Sequence, residues 1–342
     1  MTQPAIRIAV DAMGGDFAPR EIVKGAVLGA QNFGVGVLLV GPEPLMKEEL
    51  AKYASEIKSG KLDIEIVHAS EVIDMGESPA TALRKKKDSS IIVTAKCVRE
   101  GRAQGMIAAG STGAAMASAL LYIGRIDGVD RPAIGVVLPS LGERCILVDA
   151  GANADCIPEM LLQFAKMGSI YMESVYHVAK PKVGLLNIGG EVGKGNALIN
   201  TTFKLLENEH SLNFIGNIEG KEMFMGDAHV AVADGFSGNV ALKSAEGVLR
   251  MFKTVLKKEI RKSLSAKAGY LLAKPAFKAA GDYVDPEEFG GALLLGIKGI
   301  CVISHGSSKA RGVSNAIRVA KEAVETDVLG KIGHRIHEGV HH

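Results

Sequence analysis

Short apolar stretches rich in β-branched residues recur along the 342-residue chain, at 6–11, 35–40, 62–68, 103–108, 133–138, 145–148, 182–188, 212–215, 229–233 and 299–304. All but 62–68 end near Gly, Pro, Asp or Asn, as strands do where the chain must turn. Between them the apolar positions return at helical spacing, at 20–32, 89–100, 158–174, 196–207, 239–261 and 309–326. Strand patterns alternating with helix patterns predict an α/β fold, a mostly parallel sheet with helices on both faces. No internal repeat and no Pro/Ser-rich linker interrupts the alternation, so residues 5–330 are expected to form a single continuous unit. The His-rich end, 331–342, is expected to be a disordered tail or a cloning remnant.

Composition narrows the function. An apolar content of 47% supports a large core, and 40 basic residues against 38 acidic ones leave a net charge of +2, too little to point to nucleic acid. The nearest two of the four cysteines, Cys145 and Cys156, stand 11 positions apart, which fits neither a redox pair nor a zinc site. That usage, together with a start that lacks the apolar core of a signal peptide, predicts a cytoplasmic protein. Residues 103–124 carry no charge over 22 positions, but Gly, Ala, Ser and Thr dominate them and Gly110-Ser-Thr-Gly113 breaks them, so they read as buried strand, loop and helix.

Candidate chemistry gathers in glycine-rich turns after the predicted strands: Asp11-Ala-Met-Gly-Gly-Asp16, Gly110-Ser-Thr-Gly113, Asp149-Ala-Gly-Ala-Asn153, Asn187-Ile-Gly-Gly190 with Gly193-Lys-Gly-Asn196, Asp234-Gly-Phe-Ser-Gly-Asn239 and His305-Gly-Ser-Ser308. In a parallel sheet such turns share the carboxyl edge, where α/β proteins bind ligands, and they are expected to converge on one site. The candidate set there is Asp11, Gly14, Gly15, Asp16, Gly110, Ser111, Thr112, Gly113, Asn153, Lys194, Gly195, Asn196, Asp234, Gly235, Ser237, Gly238, Asn239 and His305. The turn at 234–239 is expected to leave backbone N–H groups free for an anion, with Ser237 and Asn239 as further donors and Gly235 and Gly238 allowing close approach. Lys194, between two glycines and ahead of a helix, adds a cation. His305 is either a base or a structural hydrogen-bonding group.

Nucleotide motifs are missing. Gly193-Lys194 has no glycine five residues earlier and is followed by Gly195, so it is not a Walker A loop, and the first strand opens on no G-x-G-x-x-G. Asp11, Asp16, Asp149 and Asp234 could begin a metal site, yet Asp11, Asp149 and Asp234 each close a strand before a turn, where Asp caps and stabilises; no metal and no cofactor is expected. Two basic runs remain. Arg84-Lys-Lys-Lys87 is either a solvated helix end or a contact for an acidic partner; residues 243–278 hold ten Lys or Arg against Glu246 and Glu259. With Val248, Leu249, Phe252, Val255, Leu256 and Ile260 at helical spacing, 243–280 predicts a basic amphipathic helix pair, facing either an anionic membrane surface, an acidic protein or the core.

Several long motifs occur together in order: Ile8-Ala-Val-Asp-Ala-Met-Gly-Gly-Asp16, Arg125-Ile-Asp-Gly-Val-Asp-Arg-Pro132, Gly184-Leu-Leu-Asn-Ile-Gly189, Asn213-Phe-Ile-Gly-Asn217 and Asp234-Gly-Phe-Ser-Gly-Asn239. In these the chain resembles the bacterial acyl-acyl-carrier-protein:phosphate acyltransferases, the PlsX family. The resemblance implies an isocitrate/isopropylmalate dehydrogenase-like fold, also that of phosphate acetyltransferase, and a homodimer attached peripherally to the membrane. It also implies that phosphate attacks the thioester of acyl carrier protein, giving acyl phosphate for a membrane glycerol-3-phosphate acyltransferase in phospholipid synthesis. The family's important lysine and asparagine fall on Lys194 and Asn239. Ser111 stands where many members carry Asn, and Glu191-Val-Gly precedes Lys194 where relatives often carry more charge. Rival readings are an acetyl-coenzyme A-dependent acyl phosphate enzyme, a dehydrogenase of similar fold, and a non-catalytic membrane scaffold.

Overall fold

In the computed structural model, which describes residues 6–338, all strands join one sheet. They are β1 (Arg7–Asp11), β2 (Gly36–Gly41), β3 (Ile64–His68), β4 (Gly105–Ala108), β5 (Ala133–Leu138), β6 (Cys145–Val148), β7 (Lys182–Leu186), β8 (Asn213–Ile218), β9 (Val230–Val232), β10 (Ala292–Leu295) and β11 (Ile300–Ile303). Their order is β3-β2-β1-β4-β11-β10-β5-β6-β9-β7-β8. Alternate residues feed opposite faces. Ile8 and Val10 enter a core with Ile22, Phe164, Tyr171, Val313 and Ile317, whereas Ala9 joins Ile91, Ile92 and Ala95 on the other side. Helices Arg20–Phe33, Pro158–Val175 and Ala310–Glu325 therefore cover one face, and Ser90–Arg99 covers the other.

The sheet is mostly parallel, as expected, but its strands do not all point the same way. β3, β2, β1, β4 and β11 run parallel to one another, as do β6, β9, β7 and β8. The two groups are joined through β10 and β5, whose pairings with β11, with each other and with β6 are all antiparallel. Three reversals set the groups head to tail, so their carboxyl ends leave opposite edges of the sheet. The six glycine-rich turns consequently divide into two sets of three. β10, which like β5 takes part in two of the reversals, is not among the predicted runs; only four residues after Gly290-Gly291 form it.

Two further expectations are corrected. The helix expected from residue 239 begins at Gly235 and runs to Lys262, since Asp234 caps it by accepting the Ser237 amide at 2.8 Å. Ser237 and Asn239 thus sit in its first turns and not in a loop. The expected tail is helical over Val328–Glu338, because Ile332 and Ile336, one turn apart, are buried in the core and Arg335 pairs with Glu173 at 2.9 Å. Residues 339–342, including the His341-His342 end, lie outside the described residues.

Residues 103–124 form β4, helix Thr112–Ser118 and the wider turn Ala119–Ile123. No helix among the described residues is long and apolar enough to cross a membrane. Helix Gly235–Lys262 is followed by Leu264–Tyr283, and of their residues only Gly235 and Gly238 are buried, so beyond that first turn the helix pair projects from the sheet.

Candidate active site

β9 lies between β6 and β7, parallel to both, with Val232 level with Val148 and with Leu185. The turns after these strands therefore emerge side by side, about 4.8 Å apart from strand to strand. They carry Asn153, then Asp234, Gly235, Ser237, Gly238 and Asn239, then Lys194, Gly195 and Asn196.

The central turn is already hydrogen-bonded. Of the first three helix amides, Gly235 donates to Asn153 O at 2.7 Å and Ser237 to the Asp234 carboxylate at 2.8 Å. An anion meets fewer free N–H groups here than expected, and it also meets the capping carboxylate of Asp234. The positive end of the helix dipole remains, and so does the Asn239 side chain, which makes no hydrogen bond among the described residues. Asn153 is a brace: its Nδ2 donates to Pro132 O and to Asp149 Oδ2, both at 2.9 Å, and its carbonyl holds Gly235.

Lys194 is in a different state. Its backbone lies between Gly193 and Gly195, whose φ values of 89° and 91° favour glycine. The side chain is 53% exposed, and its Nζ stands 3.9 Å from Glu191 Oε1, a loose pairing that leaves the ammonium open to an anion. Asn196 caps helix Ala197–Glu207 by accepting the Ile199 amide at 3.0 Å. Two asparagines not singled out as site residues hold this loop: Asn187, which opens the same glycine-rich turn, donates its Nδ2 to Lys194 O at 3.0 Å, and Asn217, outside the candidate turns, donates its Nδ2 to Glu191 O at 3.0 Å. The signal for them was present, since both are asparagines near the ends of predicted strands and inside the motifs 184–189 and 213–217.

Asp11, Gly14, Gly15, Asp16, Gly110, Ser111, Thr112, Gly113 and His305 follow β1, β4 and β11 and so belong to the opposite edge. They form a tight backbone junction. A β-carbon on Gly14 would stand 2.7 Å from Gly110 N, and Asp16 N donates to Gly306 O at 2.8 Å. Asp11 is buried with its Oδ1 accepting the Met13 amide at 3.2 Å; burial pushes its carboxyl up, against bonds from Ser90 and the Met13 and Gly14 amides. Ser111 caps helix Thr112–Ser118 through the Ala114 amide at 3.4 Å. His305 Nδ1 accepts the Ser307 amide at 3.2 Å, the structural role weighed above.

The thiols are not poised for attack. Burial pushes Cys145 and Cys301 up to about 12, and Cys156, half-buried beside Asn153, up to about 11. No group of three or more His, Cys, Asp or Glu side chains among the described residues is arranged to hold a metal ion.

Known proteins match this arrangement along its length. The fatty acid synthesis protein family model matches residues 6–331. The phosphate acyltransferase of Heliobacterium modesticaldum is 52% identical over 97% of this chain and 98% of its own length. The chain belongs to the phosphate acyltransferase family. That of Dictyoglomus turgidum is 49% identical over 96% of each chain. Among solved structures, a phosphotransacetylase from Streptococcus pyogenes covers 94% of each chain with a TM-score of 0.60 at 16% identity. The EutD phosphotransacetylase from Staphylococcus aureus covers 93% of each chain with a TM-score of 0.58 at 17% identity, so the phosphotransacetylases share the fold. As a phosphate acyltransferase, the chain is an enzyme of fatty acid synthesis that carries out acyl transfer with phosphate.

Proposed function

We propose that this phosphate acyltransferase moves a fatty acyl group from acyl carrier protein to inorganic phosphate, releasing the free carrier, and that it serves phospholipid synthesis. The observation that carries the reading is the placement of Lys194 and Asn239 beyond the ends of the adjacent parallel strands β7 and β9. One supplies an open ammonium and the other an amide at a helix start. Phosphate is anionic at neutral pH, so positioning and charge compensation matter more than a strong base. Lys194 holds the phosphate as one of its oxygens attacks the thioester carbonyl. Asn239 donates to the carbonyl oxygen as it becomes tetrahedral and negative. The intermediate collapses, the carbon–sulfur bond breaks, and the carrier thiolate leaves and takes a proton from solvent. No cofactor enters this scheme, because phosphate is itself the nucleophile.

The helix pair completes the reading. Arg250, Lys253, Lys257, Lys258, Arg261, Lys267, Lys274 and Lys278 make no ion pair among the described residues, and Val248, Met251, Phe252, Leu271 and Leu272 are exposed between them. Cations interleaved with apolar side chains suit an anionic membrane surface, where the protein attaches peripherally from the cytoplasm, and the same charge suits an acidic carrier. Lys86 of the shorter basic run is occupied, since it binds Glu77 and Val72 O. A homodimer, a dehydrogenase-like fold and hand-over of acyl phosphate to a membrane glycerol-3-phosphate acyltransferase belong to the same proposal.

The test is a donor comparison with acyl carrier protein, coenzyme A thioesters and NAD. Phosphate-dependent release of carrier thiol, matched by acyl phosphate, is the expected result. Equal or faster turnover of the coenzyme A thioester would overturn the carrier assignment, and carrier binding without turnover would favour a scaffold.

A further inference from the structure

Asp149 closes β6 with no exposed surface and takes no step in the reaction above. Its carboxylate nevertheless gathers five N–H groups. Oδ1 accepts the amides of Ile134 at 2.9 Å, Gly151 at 3.1 Å and Ala152 at 3.0 Å. Oδ2 accepts Ala152 N at 3.1 Å, Asn153 N at 2.7 Å and Asn153 Nδ2 at 2.9 Å. Bonds to an ionised acceptor are roughly twice as strong as neutral ones, so residues 149–153 are wound tightly around one buried charge.

That loop is the surface on which the Asn239 helix begins. Asn153 O accepts the Gly235 amide at 2.7 Å. A β-carbon on Gly235 would stand 2.5 Å from Asn153 O and 2.8 Å from Asp149 Oδ2, and one on Gly238 only 1.9 Å from Asp149 O. Gly151, with φ of 138°, faces Asn239 itself: a β-carbon there would lie 3.5 Å from Asn239 Cβ and Cγ. Loop and helix start are in contact throughout, and a shift of one moves the other.

We propose that Asp149 is a positioning residue for Asn239: it folds the 149–153 loop into the floor that sets where the Asn239 amide stands. The proposal rests on the role given to Asn239 above. Misplacing a catalytic group by about 1 Å can cost about 10²-fold in rate, whereas a turn that only adds stability leaves turnover unchanged.

The test uses Asp149→Asn, which keeps the volume but turns an NH2 toward N–H donors, and Gly235→Ala, which wedges the same contact while leaving the buried carboxylate intact if Asp149→Asn fails to fold. For each, kcat and KM are measured together with hydrogen exchange in a peptide spanning 233–240. The expected result is a fall in kcat of about tenfold or more with KM within about twofold, and faster exchange at 233–240. Asp149→Asn combined with Asn239→Ala is expected to be no slower than Asn239→Ala alone. Normal kcat, unchanged exchange, or effects that multiply in the double variant would each overturn the proposal. Normal turnover in Asn239→Ala alone would remove the oxyanion role; exchange at 233–240 would then decide for or against the floor.

Discussion

Gly238 passes so close to Asp149 that a β-carbon at 238 would stand 1.9 Å from the Asp149 carbonyl oxygen. Helix start and strand end are packed backbone to backbone, which only glycine permits. Gly247, in the same helix, would meet nothing within 4 Å. Gly238→Ala is therefore expected to destabilise by about 1–3 kcal/mol through overpacking. Gly247→Ala is expected to stabilise by up to about 1 kcal/mol through helix propensity. Urea midpoints of the two variants provide the check, and shifts of the same sign would contradict the packing.

Asp234 caps the helix through the Ser237 amide at 2.8 Å. Removing the carboxylate in Asp234→Ala should cost about 1 kcal/mol, while Asp234→Asn, with an equally good capping oxygen, should cost little. Thermal unfolding of the pair distinguishes a cap from a ligand contact, because a pure ligand contact would leave both midpoints at the wild-type value.

Lys194 and Asn239 contribute almost nothing to folding in this structure, since Lys194 is largely exposed with one loose ion pair and the Asn239 side chain makes no hydrogen bond among the described residues. Lys194→Ala and Asn239→Ala should keep the unfolding midpoint within about 0.5 kcal/mol of wild type. Acyl phosphate formation should fall by about 10² to 10³. Near-normal rates from either folded variant would remove that residue from the mechanism.

Cys156 is held at about 11, and Cys145 and Cys301 at about 12, by burial of the thiol. A raised thiol pKa means that thiolate appears only as pH climbs toward that value, so at pH 8 the Cys156 thiolate fraction is about 10⁻³. Iodoacetamide at pH 8 should leave turnover intact, with labelling growing first at Cys156 as pH rises toward 11. Peptide mass spectrometry follows it, and rapid labelling of Cys145 or Cys301 in the native protein would contradict the burial.

Apart from Lys243 and Lys262, which pair with Glu246 and Glu259, the cations of the helix pair stand outside the sheet and form no ion pair among the described residues. Vesicles containing anionic lipid should bind the protein, and binding should weaken as salt shortens the screening length from about 10 Å at 0.1 M to about 3 Å at 1 M. Flotation across that range is the measurement. Salt-insensitive binding would shift the role to Leu264, Leu271 and Leu272, which are 83%, 68% and 87% exposed.

Two signals in the chain bear on the sheet reversal. Six residues separate β5 from β6 and four separate β10 from β11, too few for a parallel crossover, so those two antiparallel pairings were legible in principle. The placement of β10 beside β5 was not, because the pairing joins segments more than 150 residues apart. Helix starts were equally local in principle. Asp234 three residues before Ser237 is a capping pattern, yet Gly235 and Gly238 read as a turn until Asn153 and Asp149 were found packed against them.

Apolar periodicity and the glycine-bearing motifs are local properties, and from them the sequence alone determined the α/β alternation and the family, and singled out Lys194 and Asn239 as candidates. Tertiary structure decided which turns are neighbours: strand polarity put Asn153, Lys194 and Asn239 on one edge and Asp11, Ser111 and His305 on the other. It also decided which donors are already engaged, as Gly235 and Ser237 are and the Asn239 side chain is not. The physical reason is that both depend on pairings between distant segments, and no window of sequence contains both partners.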